Sequence, residues 1–288
     1  MNKAIIKINT VCNNSCIFCH SRPKKKIEGG STAKTLRKIS NLKEKKINTI
    51  YLSGGEPLAS QDFQKIVSFI EKNKIKFGLI TNCRLFSYKK NVESLKEKGL
   101  VYVHTSLLGS NSKIHNSITR TPGSFQQTLK GIKNVIHEKI ELDVNCVVIN
   151  QNLDDLGRIV KLADKLGVKK LRFSFVEPLT SKDSYVPKIS LVAGKIRDLI
   201  KENKTQLKIV FDSLPLCQTK GIEKNRENLL TKNIVYMSEY YENCFFPTDK
   251  GNKIKPNKCN HCKKKNKCEG IFEKYLEIYG DSELVPFV

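Results

Sequence analysis

Three cysteines fall within eight positions in "TVCNNSCIFCH", residues 10–20, spaced C-x3-C-x2-C. Cys12, Cys16 and Cys19 are too close together, and odd in number, for a disulfide framework. Clustered thiolates bind metal, and three of them leave a tetrahedral site one ligand short. A second set, Cys259, Cys262 and Cys268, follows C-x2-C-x5-C, with Cys244 upstream of it. Cys83, Cys146 and Cys217 are scattered singly, and Cys146 in "LDVNCVVI" reads as a small buried apolar residue.

Between these sets stands "SGGEP", residues 53–57. Gly54 and Gly55 let backbone approach a ligand closely, and a carboxylate, Glu56, and a rigid Pro57 follow. Further polar residues stand where short apolar runs end: Asn82 in "TNC", Ser106 in "TSLLG" and Glu177 in "VEP". Ordinary strand-end polar groups satisfied by backbone are the plain alternative for these residues and for Arg172. Alternation along a strand turns only one of Arg172 and Phe173 inward. His104, His115 and His137 lack a partner pattern and read as surface or core histidines.

The elements that position these residues alternate β-branched runs with lysine- and leucine-rich helical patterns, which predicts βα units and a parallel sheet. Strands are expected over 4–10, 49–54, 77–82, 101–107, 141–149 and 169–176. Helices are expected near 31–46, 62–74, 90–99, 124–138, 152–166 and 188–204. Six strands with crossovers predict an α/β fold, a partial (β/α)6 TIM-like barrel whose chemistry sits at the C-terminal strand ends. An open doubly wound sheet is the alternative, because periodicity does not set strand order. Past residue 205 "QLKIVFD" offers one more strand, and then the rhythm is lost. The expected organisation is a barrel domain over 1–205 and a small loop-rich, metal-held lobe over 206–288. The segment "EGIFEKYLEIYG" reads as a final helix closed by Gly280.

Composition narrows the setting. The 288 residues are 39% hydrophobic, enough for a core, and no run approaches twenty apolar residues. The start "MNKAIIKINTVCNN" is strand-like and not a signal peptide. A cytoplasmic protein without a membrane partner is expected, where thiols stay reduced and serve metals. The net charge of +24 reads as a solvated lysine surface. RNA or an acidic peptide is the alternative partner, not favoured because no aromatic-interleaved nucleic-acid module accompanies the lysines.

Taken together, the motifs resemble the radical S-adenosylmethionine superfamily over about residues 4 to 180. Its C-x3-C-x-φ-C signature is met by Cys12, Cys16, Phe18 and Cys19, and its glycine-rich motif by Gly54, Gly55, Glu56 and Pro57. The family's "TNG" stands here as Thr81, Asn82 and Cys83, and its serine after the fourth strand as Ser106. The resemblance implies a [4Fe–4S] cluster on the three cysteines, its fourth iron open to the amino and carboxylate groups of S-adenosylmethionine. One electron then cleaves the sulfonium to methionine and a 5′-deoxyadenosyl radical that abstracts hydrogen from a substrate. It also implies that Phe18 packs near the adenine, that Gly54, Gly55 and Glu56 receive the methionyl amino group, and that Ser106 meets the ribose. Asn82 joins this cofactor-binding set.

The tail resembles the SPASM/Twitch branch, whose C-terminal extension carries auxiliary iron–sulfur clusters. The full pattern would continue with a cysteine at position 272, where this chain has Phe272, so one auxiliary [4Fe–4S] cluster is expected and not two. Its ligands would be Cys259, Cys262, Cys268 and either Cys217 or Cys244, with Cys217 preferred because related chains carry a proline-cysteine there. Zinc is the alternative by spacing alone. The implied activity is modification of a ribosomally made peptide by a radical oxidoreductase or maturase. A dehydrogenase or carbon-skeleton enzyme acting on a small metabolite is the second reading. A non-catalytic RNA-binding protein with structural zinc sites is the third. An electron donor such as flavodoxin or ferredoxin is implied. With no extension ahead of the first strand, the expectation is that a partner protein supplies any leader-binding domain or that the substrate docks directly on the barrel.

Overall fold

The computed structural model describes residues 3–21, 32–44, 47, 49–227 and 252–288, and the backbone alone of 234–237 and 246–247. Cys244 lies outside the described residues. Seven strands run in chain order: β1 (Lys3–Asn9), β2 (Thr49–Gly54), β3 (Lys76–Thr81), β4 (Leu100–Ser106), β5 (Glu141–Val148), β6 (Lys170–Phe175) and β7 (Lys208–Asp212). Their hydrogen-bonding order is strictly sequential, from β7 down to β1. The pairs β1–β2, β2–β3, β3–β4, β5–β6 and β6–β7 are parallel. A doubly wound sheet would reverse direction at a switch point. None is present in this order, so the arrangement is that of a partial (β/α) barrel. The run "QLKIVFD" supplies the seventh strand. Two further strands, β8 (Ile234–Met237) and β9 (Phe246–Pro247), extend the sheet beyond β1.

The crossovers are α1 (Thr32–Glu44), α2 (Phe63–Lys72), α3 (Lys89–Glu97), α4 (Ser112–Thr119), α5 (Ser124–His137), α6 (Leu156–Lys165) and α7 (Ile189–Glu202). Most of them bury an apolar stripe at helical spacing, as with Phe63, Ile66, Val67 and Ile70 of α2. Helix α4 falls where the sequence pattern predicts none. The Asn111 side chain accepts the Ile114 N–H (3.1 Å), an N-cap that starts a helix of mostly polar composition.

The chain divides into two compact units. The first comprises Met1–Ser106, Thr119–Asp143 and Leu230–Thr248, and the second Leu107–Ile118, Val144–Leu229 and Asp249–Val288. In the first, Gly131 of α5 lies against the turn after β3, where a Cβ would stand 2.1 Å from the Cys83 carbonyl oxygen. That contact seats α5 on the strand ends. In the second, β10 (Lys253–Ile254) pairs antiparallel with β11 (Ile271–Phe272), and α8 (Glu273–Tyr279) follows. Gly280 closes α8 at φ +67°, in the left-handed region that favours glycine.

Arg172 and Phe173 on β6 are both buried, whereas simple alternation turns only one inward. Parallel strands are covered on both faces. Arg172 is accommodated by ion pairs to Asp212 (3.4 Å) and Glu227 (3.0 Å). Cys146 is fully buried, as its surroundings in sequence predict. His104 and His115 are core residues, and the exposed His137 ring lies 3.0 Å from a Glu138 carboxylate oxygen.

Candidate metal and cofactor sites

The first unit brings four adjacent strand ends together, because parallel strands all point their C-termini the same way. The cysteine loop follows β1, "GGEP" follows β2, Asn82 follows β3, and Ser106 is the last residue of β4. Cys12, Cys16, Cys19, Phe18, Asn82 and Ser106 are all half-buried. The Gly55 N–H donates to the Asn9 carbonyl (3.0 Å), and the Glu56 N–H to the Val11 carbonyl (2.7 Å). A Cβ on Gly54 would stand 2.3 Å from the Asn9 oxygen, and one on Gly55 would stand 2.1 Å from the Val11 oxygen. The close approach that requires these glycines is to the cysteine loop itself.

Glu56 is fully buried, and donors from the protein occupy both of its oxygens. Oε1 accepts the Thr81 hydroxyl (2.7 Å) and the Leu58 N–H (3.2 Å), and Oε2 accepts the Asn82 N–H (2.8 Å). Burial pushes the Glu56 carboxyl up against the opposing pull of these donors. The side chain ties the end of β2 to the end of β3.

Asn82 carries the tie onward. Its Nδ2 donates to Asn13 Oδ1 (2.6 Å) and lies 3.8 Å from Cys12 Sγ. Arg84 finishes the frame: its Nη1 donates to the Asn13 carbonyl and to Asn14 Oδ1 (2.9 Å), and its Nε to Gln127 Oε1 on α5 (2.7 Å). The Asn14 N–H points at Cys12 Sγ (3.4 Å). Burial raises the Cys12 thiol, and the nearby Glu56 and Cys19 add to it. A cationic group at this loop would reverse that preference and hold the thiolate. Sequence reasoning missed Asn9, Arg84 and Gln127, which carry no motif: Arg84 and Gln127 sit tens of residues from the cysteine loop, and Asn9, just ahead of it, holds the glycine turn after β2.

The second unit draws the tail cysteines together. Cys217 sits in a short 3-10 turn following β7, and Cys259 ends another. Cys217, Cys259, Cys262 and Cys268 all line one cavity with Leu284, Pro286 and Phe287. Backbone N–H groups point at their sulfurs: Leu216 (3.4 Å) and Gly270 (3.5 Å) at Cys268, Phe287 at Cys262 (3.4 Å), and Val285 at Cys217. Thiols are weak acceptors and thiolates strong ones, so this donor set fits a thiolate-ligated centre. No disulfide joins the described cysteines. Among the described residues no group of three or more Cys, His, Asp or Glu closes around a single metal ion. A cubane spreads its thiolates over separate irons, and so asks for wider spacing than one ion does.

With this geometry in hand, comparison with known proteins identifies the class. Residues 6–163 match the Radical SAM superfamily model, and the chain belongs to that superfamily. It is 26% identical over 204 residues to the AdoMet-dependent heme synthase of Methanosarcina barkeri, covering 68% of this chain and 58% of that protein. It is 31% identical over 211 residues to the probable GTP 3′,8-cyclase of Pyrobaculum aerophilum, covering 71% and 64%. The chain thus spans less than two thirds of these curated relatives. Among solved structures it is similar in fold to native anSMEcpe with bound AdoMet and Cp18Cys peptide, at TM-score 0.63 and 19% identity, covering 99% of this chain and 92% of that one. It is also similar to Streptococcus suis SuiB bound to precursor peptide SuiA, at TM-score 0.63 and 16% identity, covering 82% and 57%. No helix among the described residues is long and apolar enough to cross a membrane.

Proposed function

We propose that the protein is a radical S-adenosylmethionine enzyme of the SPASM/Twitch-like branch that modifies a ribosomally synthesised peptide. Cys12, Cys16 and Cys19 hold the [4Fe–4S] cluster that takes S-adenosylmethionine. Cys217, Cys259, Cys262 and Cys268 hold one auxiliary [4Fe–4S] cluster in the lobe that begins near residue 206. When bound, these groups supply reductive cleavage of the sulfonium and the hydrogen abstraction that starts the reaction.

The chain's own residues bind and orient. Asn82 and Arg84 fix the cysteine loop, and Glu56 holds Asn82 through its backbone. Gly54, Gly55 and Glu56 form the wall for the methionyl group, Phe18 the wall for adenine, and Ser106 the ribose contact. The observation that carries the reading is the tail cavity, where four thiols converge and backbone donors face three of them. The likeness in fold to anSMEcpe, solved with AdoMet and a peptide bound, runs over 99% of this chain and supports a peptide as the substrate. An electron carrier of the flavodoxin or ferredoxin class completes the system.

A small-metabolite substrate is the second reading, favoured by the names of the sequence relatives, a heme synthase and a GTP cyclase. The test is anaerobic incubation of reduced, iron-loaded protein with S-adenosylmethionine and short precursor peptides encoded beside its gene. Slow 5′-deoxyadenosine release without substrate, stimulated by one peptide that changes mass, is expected. Stimulation by GTP or a porphyrin precursor, and by no peptide, would move the assignment to the second reading. A colourless protein yielding no deoxyadenosine would remove both.

A further inference from the structure

We infer that residues 283–288 form a working part of the tail metal centre. The segment supplies backbone donors to two of the four sulfurs, and so sets the centre's reduction potential and its exposure to water. The inference rests on the auxiliary-cluster reading above.

Three observations support it. First, the Val285 and Phe287 N–H groups, two positions apart, face Cys217 and Cys262, and Pro286 between them has no N–H to offer. Iron–sulfur potentials respond to hydrogen bonds at sulfur and to solvent access. Second, both ends of the segment are fastened. The Glu283 carboxylate accepts the Ser190 N–H (3.2 Å) and hydroxyl at the start of α7, together with the Tyr275 hydroxyl. The Glu283 carbonyl accepts from Gln218, beside Cys217. At the other end the Lys263 N–H donates to the Phe287 carbonyl (2.8 Å), so residues 262 and 263 and Phe287 exchange backbone and sulfur contacts. Third, the segment covers the cavity. Leu284, Pro286 and Phe287 line it, and the Phe287 ring lies under the Lys220 and Lys264 ammonium groups (4.7 and 5.8 Å). The Val285 side chain is 55% exposed, so what the site takes from this residue is its main chain.

A donor aimed at sulfur stabilises the reduced centre, which carries more negative charge, more than the oxidised one. Removing it lowers the potential. The experiment is an anaerobic, EPR-monitored redox titration of the reconstituted full chain, with the head-cluster signal as internal control. Val285→Pro and Phe287→Pro each delete one N–H, whereas Phe287→Ala keeps the donor and deletes the ring. Each proline variant should shift the tail reduction equilibrium about tenfold toward oxidised, about 59 mV for a one-electron couple. Phe287→Ala keeps the donor and admits water, so it should not lower the potential, in contrast to the proline variants, and should lose tail iron to a chelator in air several-fold faster. Should Phe287→Pro fail to fold, Val285→Pro and Phe287→Ala still decide the matter. Proline variants with full iron, wild-type potential and wild-type iron loss would overturn the inference alone. A wild type with one cluster signal and about four irons would instead remove the auxiliary-cluster reading, and this inference with it.

Discussion

Glu56→Ala removes the acceptor for three donors at once: the Thr81 hydroxyl, the Leu58 N–H and the Asn82 N–H. Each buried donor left without a partner costs about 1–3 kcal/mol. The Thr81 hydroxyl can rotate toward another acceptor, but the two backbone N–H groups cannot. The lost carboxylate also returns its own burial penalty, visible in the upward push on its pKa. The balance is about 4 kcal/mol of destabilisation, at the upper end for a single substitution. For a chain of this size that lowers the melting temperature by about 8 °C, at about 2 °C per kcal/mol. Glu56→Gln keeps one acceptor but turns an amide N–H toward a donor, and should cost about 1–2 kcal/mol. Anaerobic calorimetry of the iron-loaded protein reads both values. Binding calorimetry with S-adenosylmethionine should show affinity falling further than iron content, because thiolates and not Glu56 hold the metal. A Glu56→Ala protein melting within about 2 °C of wild type would refute the tie between β2 and β3.

The remaining predictions bear on the two centres. Reconstituted protein should hold about eight irons, and changing Cys12, Cys16 and Cys19 together to Ala should leave about four, read by iron analysis. Cys217→Ala should lower iron content and destabilise the tail, while Cys244→Ala leaves the cluster largely intact; the reverse pattern would exchange the fourth ligand. Arg84→Lys keeps the charge but loses the fork that reaches both the cysteine loop and Gln127, so the head cluster should load more slowly while the tail loads normally. Burial alone would raise Glu283, but donors from Ser190 and Tyr275 hold it below its ordinary 4.5. A lowered acid contributes stability that is present above that value and lost as pH falls below it. Glu283→Gln should therefore flatten the fall of melting temperature below about pH 4.5.

The sequence made the strand ends readable because a parallel sheet obeys a simple rule: each β-branched run ends at the same face, and motifs there come together. Cys12, Gly54, Asn82 and Ser106 could be brought to one face from their positions alone. The supports of that face were illegible for a physical reason. Asn9, Arg84 and Gln127 are polar residues of types that populate any surface, and their contacts reach far along the chain: Asn9 meets Gly55 across 46 positions, Arg84 meets Asn13 in the cysteine loop across 71, and Gln127 meets Arg84 across 43. Helix α4 was missed because its start depends on one asparagine side chain and its composition is polar. The two glycines were legible as a close approach, but the pattern could not say that the approaching chain is the loop after β1. The donors at Val285 and Phe287 leave no trace in residue type at all, since any residue but proline supplies an N–H.

Both centres solve one problem in the same way. Cysteines on loops without regular structure must be ordered before a cluster can bind, and that ordering costs about 1–2 kcal/mol per residue. In the first unit the cost is offset ahead of metal by the Arg84 fork, the Asn82 amide and the stitched glycine turn. In the second, where the lobe has little core of its own, it is offset by Gly270, which lets β10 and β11 pass within van der Waals contact, and by the fastened segment at Glu283. The head loop is held chiefly by the Asn82 and Arg84 side chains, and the tail sulfurs face backbone donors on a segment that the Glu283, Gln218 and Tyr275 side chains fasten. That difference determines how each should respond to substitution. Single side-chain changes at Asn82 or Arg84 should reach the head cluster, whereas the tail should yield where a cysteine, a backbone N–H, a fastening side chain such as Glu283 or the covering ring of Phe287 is removed, and tolerate changes at exposed side chains such as Val285.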